Sequence, residues 1–159
     1  GEPEMMEVQI TRKSELTEGG CNACGIVDAA IYSLQLGTKT AIIADLTVSS
    51  LVDSLALLEG YEGEDIYEML GEVRQLSRAG KTINVSEELG NVTFCTADQQ
   101  LTVKNRMERP ALFEQVSQIL QQFFELGPYK FKEIATVPKH DPEWQKRIED
   151  QTDHAYLFQ

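Results

Sequence analysis

Along Met6-Glu7-Val8-Gln9-Ile10 apolar and polar side chains alternate, which is the period of a half-buried strand and predicts the first strand. Leu16 to Gly20 reads as a loop, because Thr17-Glu18-Gly19-Gly20 offers turn residues and two glycines free to take positive φ. From Asn22 to Leu36 the apolar residues Ala23, Val27, Ala30, Ile31 and Leu34 recur at helical spacing, and Gly37 stands where a C-terminal glycine cap belongs. Thr40-Ala41-Ile42-Ile43-Ala44 is a compact apolar run between turn residues, as in a parallel strand buried on both faces. The chain is therefore expected to open with a strand-helix-strand unit from Met6 to Ala44.

Thr47 to Ser50 supply N-cap hydroxyls for a second helix through Leu51, Leu55 and Leu58, broken near Gly60 and Gly63. Ile66, Met69, Leu70, Val73 and Leu76 fall on one helical stripe that Gly80 closes, predicting a longer helix. Ile83 with Val85, Val92 with Phe94, and Leu101 with Val103 alternate within three short runs. Gly90-Asn91 and Ala97 to Gln100 separate these runs, so they read as antiparallel strands. Arg109-Pro110 places proline in the first turn of an amphipathic helix through Leu112, Phe113, Val116, Ile119, Leu120 and Phe123, ending at Gly127-Pro128. Tyr129 to Val137 makes a further strand stopped by Pro138. Asp141-Pro142, Trp144 and Ile148 suggest a short helix before the apolar tail Ala155 to Phe158. With no repeat or linker, the expected fold is α+β with an α/β-like start: helices packed on a single layer of mixed sheet. One domain spans 1–159, with 1–5 and 152–159 as candidate flexible ends.

Composition narrows the partners. The 159 residues include 14 basic and 26 acidic ones, a formal net charge of -12, which repels phosphate backbones and anionic lipid head groups. Nucleic acid and membrane are therefore not expected partners; a protein partner with a basic surface is. No stretch of about 18 apolar residues occurs, and Gly1-Glu2-Pro3-Glu4 lacks the layout of a signal peptide. Cys21, Cys24 and Cys95 form an odd, scattered set, a poor disulfide framework that points to a cytoplasmic location. Gly1 and Gln159 fit cleavage between Gln and Gly, as in a tag remnant or a viral polyprotein product.

Two places could carry chemistry. The first is Gly19-Gly20-Cys21-Asn22-Ala23-Cys24-Gly25, at the start of the expected first helix. Unpaired amides at a helix N-terminus favour thiolate over thiol, so Cys24 or Cys21 is a candidate nucleophile. A Cys-x-x-Cys redox pair and a zinc half-site with Cys95 are further readings, but no strand directly precedes the pair and no second ligand pair matches it. His154, about 130 residues downstream, suits a papain-like order. Two small residues packed at a buried helix start is the plain structural reading.

Asn22-Ala23-Cys24, Leu36-Gly37, the run Thr40 to Ala44 and Asp45 locally resemble the segment around the catalytic cysteine of isochorismatase-like cysteine hydrolases. Arg78-Ala79-Gly80 and Glu87-Glu88-Leu89 extend the likeness. The resemblance implies a helix that Cys24 opens and Leu36-Gly37 ends, then a strand ending at Asp45, with Cys24 as nucleophile. Too few residues precede Cys24 to supply that family's catalytic aspartate and lysine, and membership does not follow.

The second place is acidic. Glu59, Glu62, Glu64, Asp65, Glu68 and Glu72 form a stretch without Lys or Arg, interleaved with Tyr61 and Tyr67. Helical spacing would put Asp65, Glu68 and Glu72 on one face, as a solvated surface, a docking patch for a basic partner or a weak divalent-cation site. Asp45 reads as a turn or cap residue and His140 as an exposed loop residue. No Walker or dinucleotide fingerprint is present, and no metal or cofactor is expected. The expected function is a non-enzymatic interaction or regulatory domain binding through Tyr61, Glu62, Glu64, Asp65, Tyr67, Glu68 and Glu72. The alternative is a thiol-dependent, hydrolase-like enzyme.

Overall fold

A computed structural model describes the backbone of residues 5–18, 26–69 and 71–134, and the side chains of residues 5–13, 31–69 and 71–134. The chain opens with three antiparallel strands, β1 (Met6–Glu18), β2 (Ile26–Leu36) and β3 (Lys39–Ile43). Helix α1 (Val48–Leu58) follows. Then comes a five-stranded antiparallel meander: β4 (Glu62–Glu68), β5 (Gly71–Arg78), β6 (Lys81–Glu88), β7 (Asn91–Cys95) and β8 (Gln100–Lys104). Helix α2 (Arg109–Phe124) leads to β9 (Tyr129–Ile134), which lies parallel to β1. The strands form two sheets, ordered β3-β2-β1-β9 and β4-β5-β6-β7-β8.

The α+β class holds, whereas the expected single layer of mixed sheet is replaced by one mixed and one wholly antiparallel sheet. Both helices touch both sheets. Lys39 Nζ of β3 donates to the Leu58 carbonyl at 2.8 Å, while Asp53 of α1 pairs with Arg74 of β5. Phe113 of α2 stacks on Phe131 of β9 at 4.9 Å, and Phe123 meets Phe94 of β7 at 6.2 Å. One buried cluster therefore draws Val8, Leu34, Leu51, Leu76, Phe94 and Phe123 from both sheets and both helices.

The helix expected over Asn22 to Leu36 is instead β2. Tyr32, Leu34 and Leu36 alternate with Ser33 and Gln35; Leu34 and Leu36 are buried, and Gln35 is exposed. Leu34 pairs with Ile10 and Leu36 with Val8, so two alternating segments bury their apolar faces together. Gly37, at φ 62°, belongs to the tight turn joining Leu36 to Lys39 rather than to a helix cap. Leu16 to Glu18, read as loop, continue β1. The strand near Thr40 exists, but as an edge strand antiparallel to β2 with Ile42 59% exposed. The strand-helix-strand unit, and the helix ending at Leu36-Gly37 that the resemblance to cysteine hydrolases implies, are thus not formed.

The second correction is the helix from Ile66 to Leu76, which is the β4–β5 hairpin. The register sets Ile66 opposite Val73, and this separation also equals two helical turns, so spacing alone could not tell the forms apart. Leu76 is buried while Met69 is wholly exposed at the turn.

The other elements follow the sequence reading. Thr47 caps α1, its hydroxyl accepting from the Ser50 amide at 3.2 Å, and α2 starts with Pro110 in its first turn. Strands β6, β7 and β8 stand where alternation put them, and β9 forms over Tyr129–Ile134 of the strand expected from Tyr129 to Val137, whose last three residues lie outside the described ones. The expected helix around Trp144, the tail Ala155 to Phe158, and most of the two candidate flexible ends lie outside the described residues.

Candidate functional site

The acidic stretch folds as strand β4 and the start of β5, so its carboxylates divide by the two-residue period of a strand instead of sharing a helix face. Leu76 is buried and pairs with Gly63, which fixes the inner face: Gly63, Asp65 and Tyr67 on β4, with Glu72, Arg74 and Leu76 on β5. Glu62, Glu64, Ile66 and Glu68 share the outer face. Asp65, Glu68 and Glu72 therefore do not form the single row expected of a helix.

On the outer face Glu62, Glu64 and Glu68 are exposed. Their cross-strand partners are Ser77, Gln75 and Gly71, none of them charged. None of these three glutamates enters a salt bridge among the described residues. Strand β4 is also terminal in its sheet, so one edge of its backbone pairs with no described strand.

The inner face is organised by Arg74. Its Nε donates to Asp53 Oδ1 of α1 at 3.0 Å and its Nη1 to Asp65 Oδ1 at 3.3 Å. The hydrogen bond it donates to Asp53, against the opposing effect of partial burial, raises the guanidinium's already high pKa. Gly63 makes this possible: a Cβ there would stand 2.6 Å from the guanidinium carbon. Beside Arg74 a cavity of about 440 Å³ opens between α1 and the hairpin, lined by Ser49, Ser50, Asp53, Asp65, Glu72 and Glu87, with Val52, Leu76, Val85 and Phe94 as its apolar wall.

Tyr61, expected among the docking residues, packs into the core. It is 4% exposed, its hydroxyl donates to the Phe124 carbonyl at 2.7 Å, and the Arg78 guanidinium lies 4.6 Å over its ring. Tyr67, at 80% exposure, is open to solvent. Sequence reasoning missed Asp53, Arg74 and Glu87. The available signal was the alternation Glu72, Arg74, Leu76, Arg78, which places charge beside a core residue on one strand face.

Cys21, Cys24 and His154, the candidate catalytic residues, lie outside the described residues, as does His140. The helix whose N-terminus was to activate Cys24 is strand β2, so the dipole argument for a lowered thiol pKa has no helix behind it. Cys95 is half-buried at the end of β7, its Sγ 3.4 Å from the Thr96 carbonyl. Asp45 pairs with Arg106 at 3.4 Å on the surface. Among the described residues no group of three or more His, Cys, Asp or Glu is arranged to hold a metal ion, and no helix is long and apolar enough to cross a membrane.

The family described as a domain of unknown function, DUF4809, matches residues 5–133. The chain belongs to this family. The DUF4809 match begins one residue before β1 and ends within β9, and so spans both sheets described above. No curated protein and no solved structure matches the chain.

Proposed function

We propose that this protein is a non-enzymatic interaction domain that binds a basic, extended segment of a protein partner along strand β4. The observation that carries the reading is the row Glu62, Glu64 and Glu68, exposed on a terminal strand and without described counter-charges. A partner strand added at this edge gains main-chain hydrogen bonds, and lysines at alternate positions would meet the carboxylates on the same face. The net charge of -12 works in the same direction by drawing cationic segments in and keeping copies of the chain apart.

The test uses a peptide of alternating lysine and threonine as long as β4. Binding to the protein should be saturable and should weaken several-fold between about 0.05 and 0.5 M salt. The triple variant Glu62→Gln, Glu64→Gln, Glu68→Gln should lose about fivefold to a hundredfold in affinity, because three rim charges each contribute a few tenths of a kcal/mol to about 1 kcal/mol. Unchanged affinity in that variant would reject the reading.

A further inference from the structure

We propose that the end of the five-stranded sheet carrying the β4–β5 and β6–β7 turns docks a basic amphipathic helix of a protein partner. The two ends of this meander differ in what they show to solvent. Ala79-Gly80 and the stretch Thr96 to Gln99 join strands at one end. At the other, Met69 is wholly exposed, Leu89 is 95% and Tyr67 80% exposed, and no other large apolar residue among the described ones exceeds 59%. The three most exposed apolar side chains thus gather at one end of one sheet, whereas scattered ones would be ordinary surface. Leu89 carries a second, independent mark. Its φ of 52° lies in the left-handed region, which a bulky apolar side chain disfavours. Ala79 has the same φ in the β5–β6 turn, so the turn itself has no need of a leucine's bulk. Strain and exposure at one residue, neither offset by burial within the fold, point to a contact outside it.

Spacing and charge select the occupant. In the order β4-β5-β6-β7 the two turns stand two strand spacings apart, about 10 Å. Residues i and i+7 of a helix are also about 10 Å apart on one face. A helix lying across the strand ends therefore sets one apolar side chain on Met69, with Tyr67 beside it, and the next on Leu89. The two positions of each strand nearest this end hold four exposed carboxylates, Glu68, Glu72, Glu87 and Glu88, against one basic residue, Lys104. None of the four enters a salt bridge among the described residues. Lysines flanking the apolar stripe of the helix meet them. A second copy would set these carboxylates against their own kind, and a bilayer would take them among its head groups without supplying a net counter-charge. The surface uses side chains at two turns and not the free backbone of β4, so it stands apart from the edge-docking reading.

The probe is a capped leucine-lysine peptide of about 18 residues with its leucines on one helical stripe, compared with a scrambled sequence of equal composition. Methyl resonances of Met69 and Leu89 report contact. The striped peptide should shift both saturably and bind several-fold more tightly than the scrambled one. Leu89→Asn should weaken it about tenfold, the loss of one apolar anchor, without lowering the melting temperature. Ala79→Asn relieves the same φ at the opposite end and should leave the affinity within about twofold. Glu62→Gln/Glu64→Gln should likewise spare the striped peptide while weakening the lysine-threonine peptide. Unchanged affinity in Leu89→Asn, equal binding of the scrambled peptide, or methyl resonances that do not move while the peptide binds overturns the proposal. So does Leu89-dependent binding to phosphatidylcholine vesicles, or a Leu89-dependent dimer in sedimentation, without binding of the striped peptide. Binding of the lysine-threonine peptide but not the striped one rejects this proposal alone, and the reverse rejects the edge-docking reading alone.

Discussion

Gly63 and Arg74 determine each other's conformation. An alanine at position 63 would push the guanidinium away from Asp53 and Asp65, at a cost of under about 1 kcal/mol because these pairs are about a third exposed or more. With Arg74→Met already present, Gly63→Ala should be neutral or stabilising, since a strand position prefers a side chain once the clash is gone. A double-mutant cycle by urea unfolding reads this coupling, and strictly additive effects would contradict it. Two buried tyrosines give a contrasting pair. The Tyr61 hydroxyl is bonded to the Phe124 carbonyl, whereas the Tyr129 hydroxyl is buried with no partner among the described residues. Tyr61→Phe should therefore cost about 1 kcal/mol and Tyr129→Phe should cost nothing or stabilise.

Burial raises the pKa of both hydroxyls; the charge of Glu59 adds to this at Tyr129, and Arg78 opposes it at both. Unfolded tyrosine ionises near about 10, so the unfolded chain loses these protons first. The stability from keeping them neutral is complete below about pH 10 and falls as pH rises above it. Tyr129→Phe should flatten that fall in unfolding free energy measured from pH 9 to pH 11; an unchanged slope would show that Tyr129 is not its source.

Among the elements, turns decided what periodicity could not. Ala79-Gly80 and Leu89-Gly90 both have positive φ at each central position, 52° and 81° in the first and 52° and 83° in the second, the geometry of a tight hairpin turn matched to strand twist. Leu89 is 95% exposed, so Leu89→Asn removes a left-handed strain without removing a contact. Thermal unfolding should show a gain of a few tenths to about 1 kcal/mol, while Gly80→Ala should lose about 1 kcal/mol. Gly37 and Gly80 were read as helix caps because a glycine at positive φ serves either ending, and only the pairing partner distinguishes them. Where alternation was unambiguous, as in Ile83-Val85 and Val92-Phe94, strands were legible. Where a run was long and amphipathic with a start signal, as in α1 and α2, helices were.

At the scale of the whole molecule, the split into two sheets was not legible, because it depends on which strands pair across long stretches of sequence; β9 joins β1 from the far end of the described chain. The acidic stretch was legible as charge but not as geometry. Strand alternation sends Glu62, Glu64 and Glu68 outward and Asp65 and Glu72 inward, producing an edge and a cavity where one helix face was expected. The partner of Asp65 came from β5 and that of Arg74 from α1, contacts that no local pattern encodes. Backbone hydrogen exchange in the presence of the lysine-threonine peptide addresses the docking of a basic segment at β4 most directly. Amides of β4 that do not bond to β5 should become protected, with Gln100 to Lys104 at the opposite edge unchanged. Protection that appears at β8 and not at β4, or at neither edge while the peptide binds, would contradict the account.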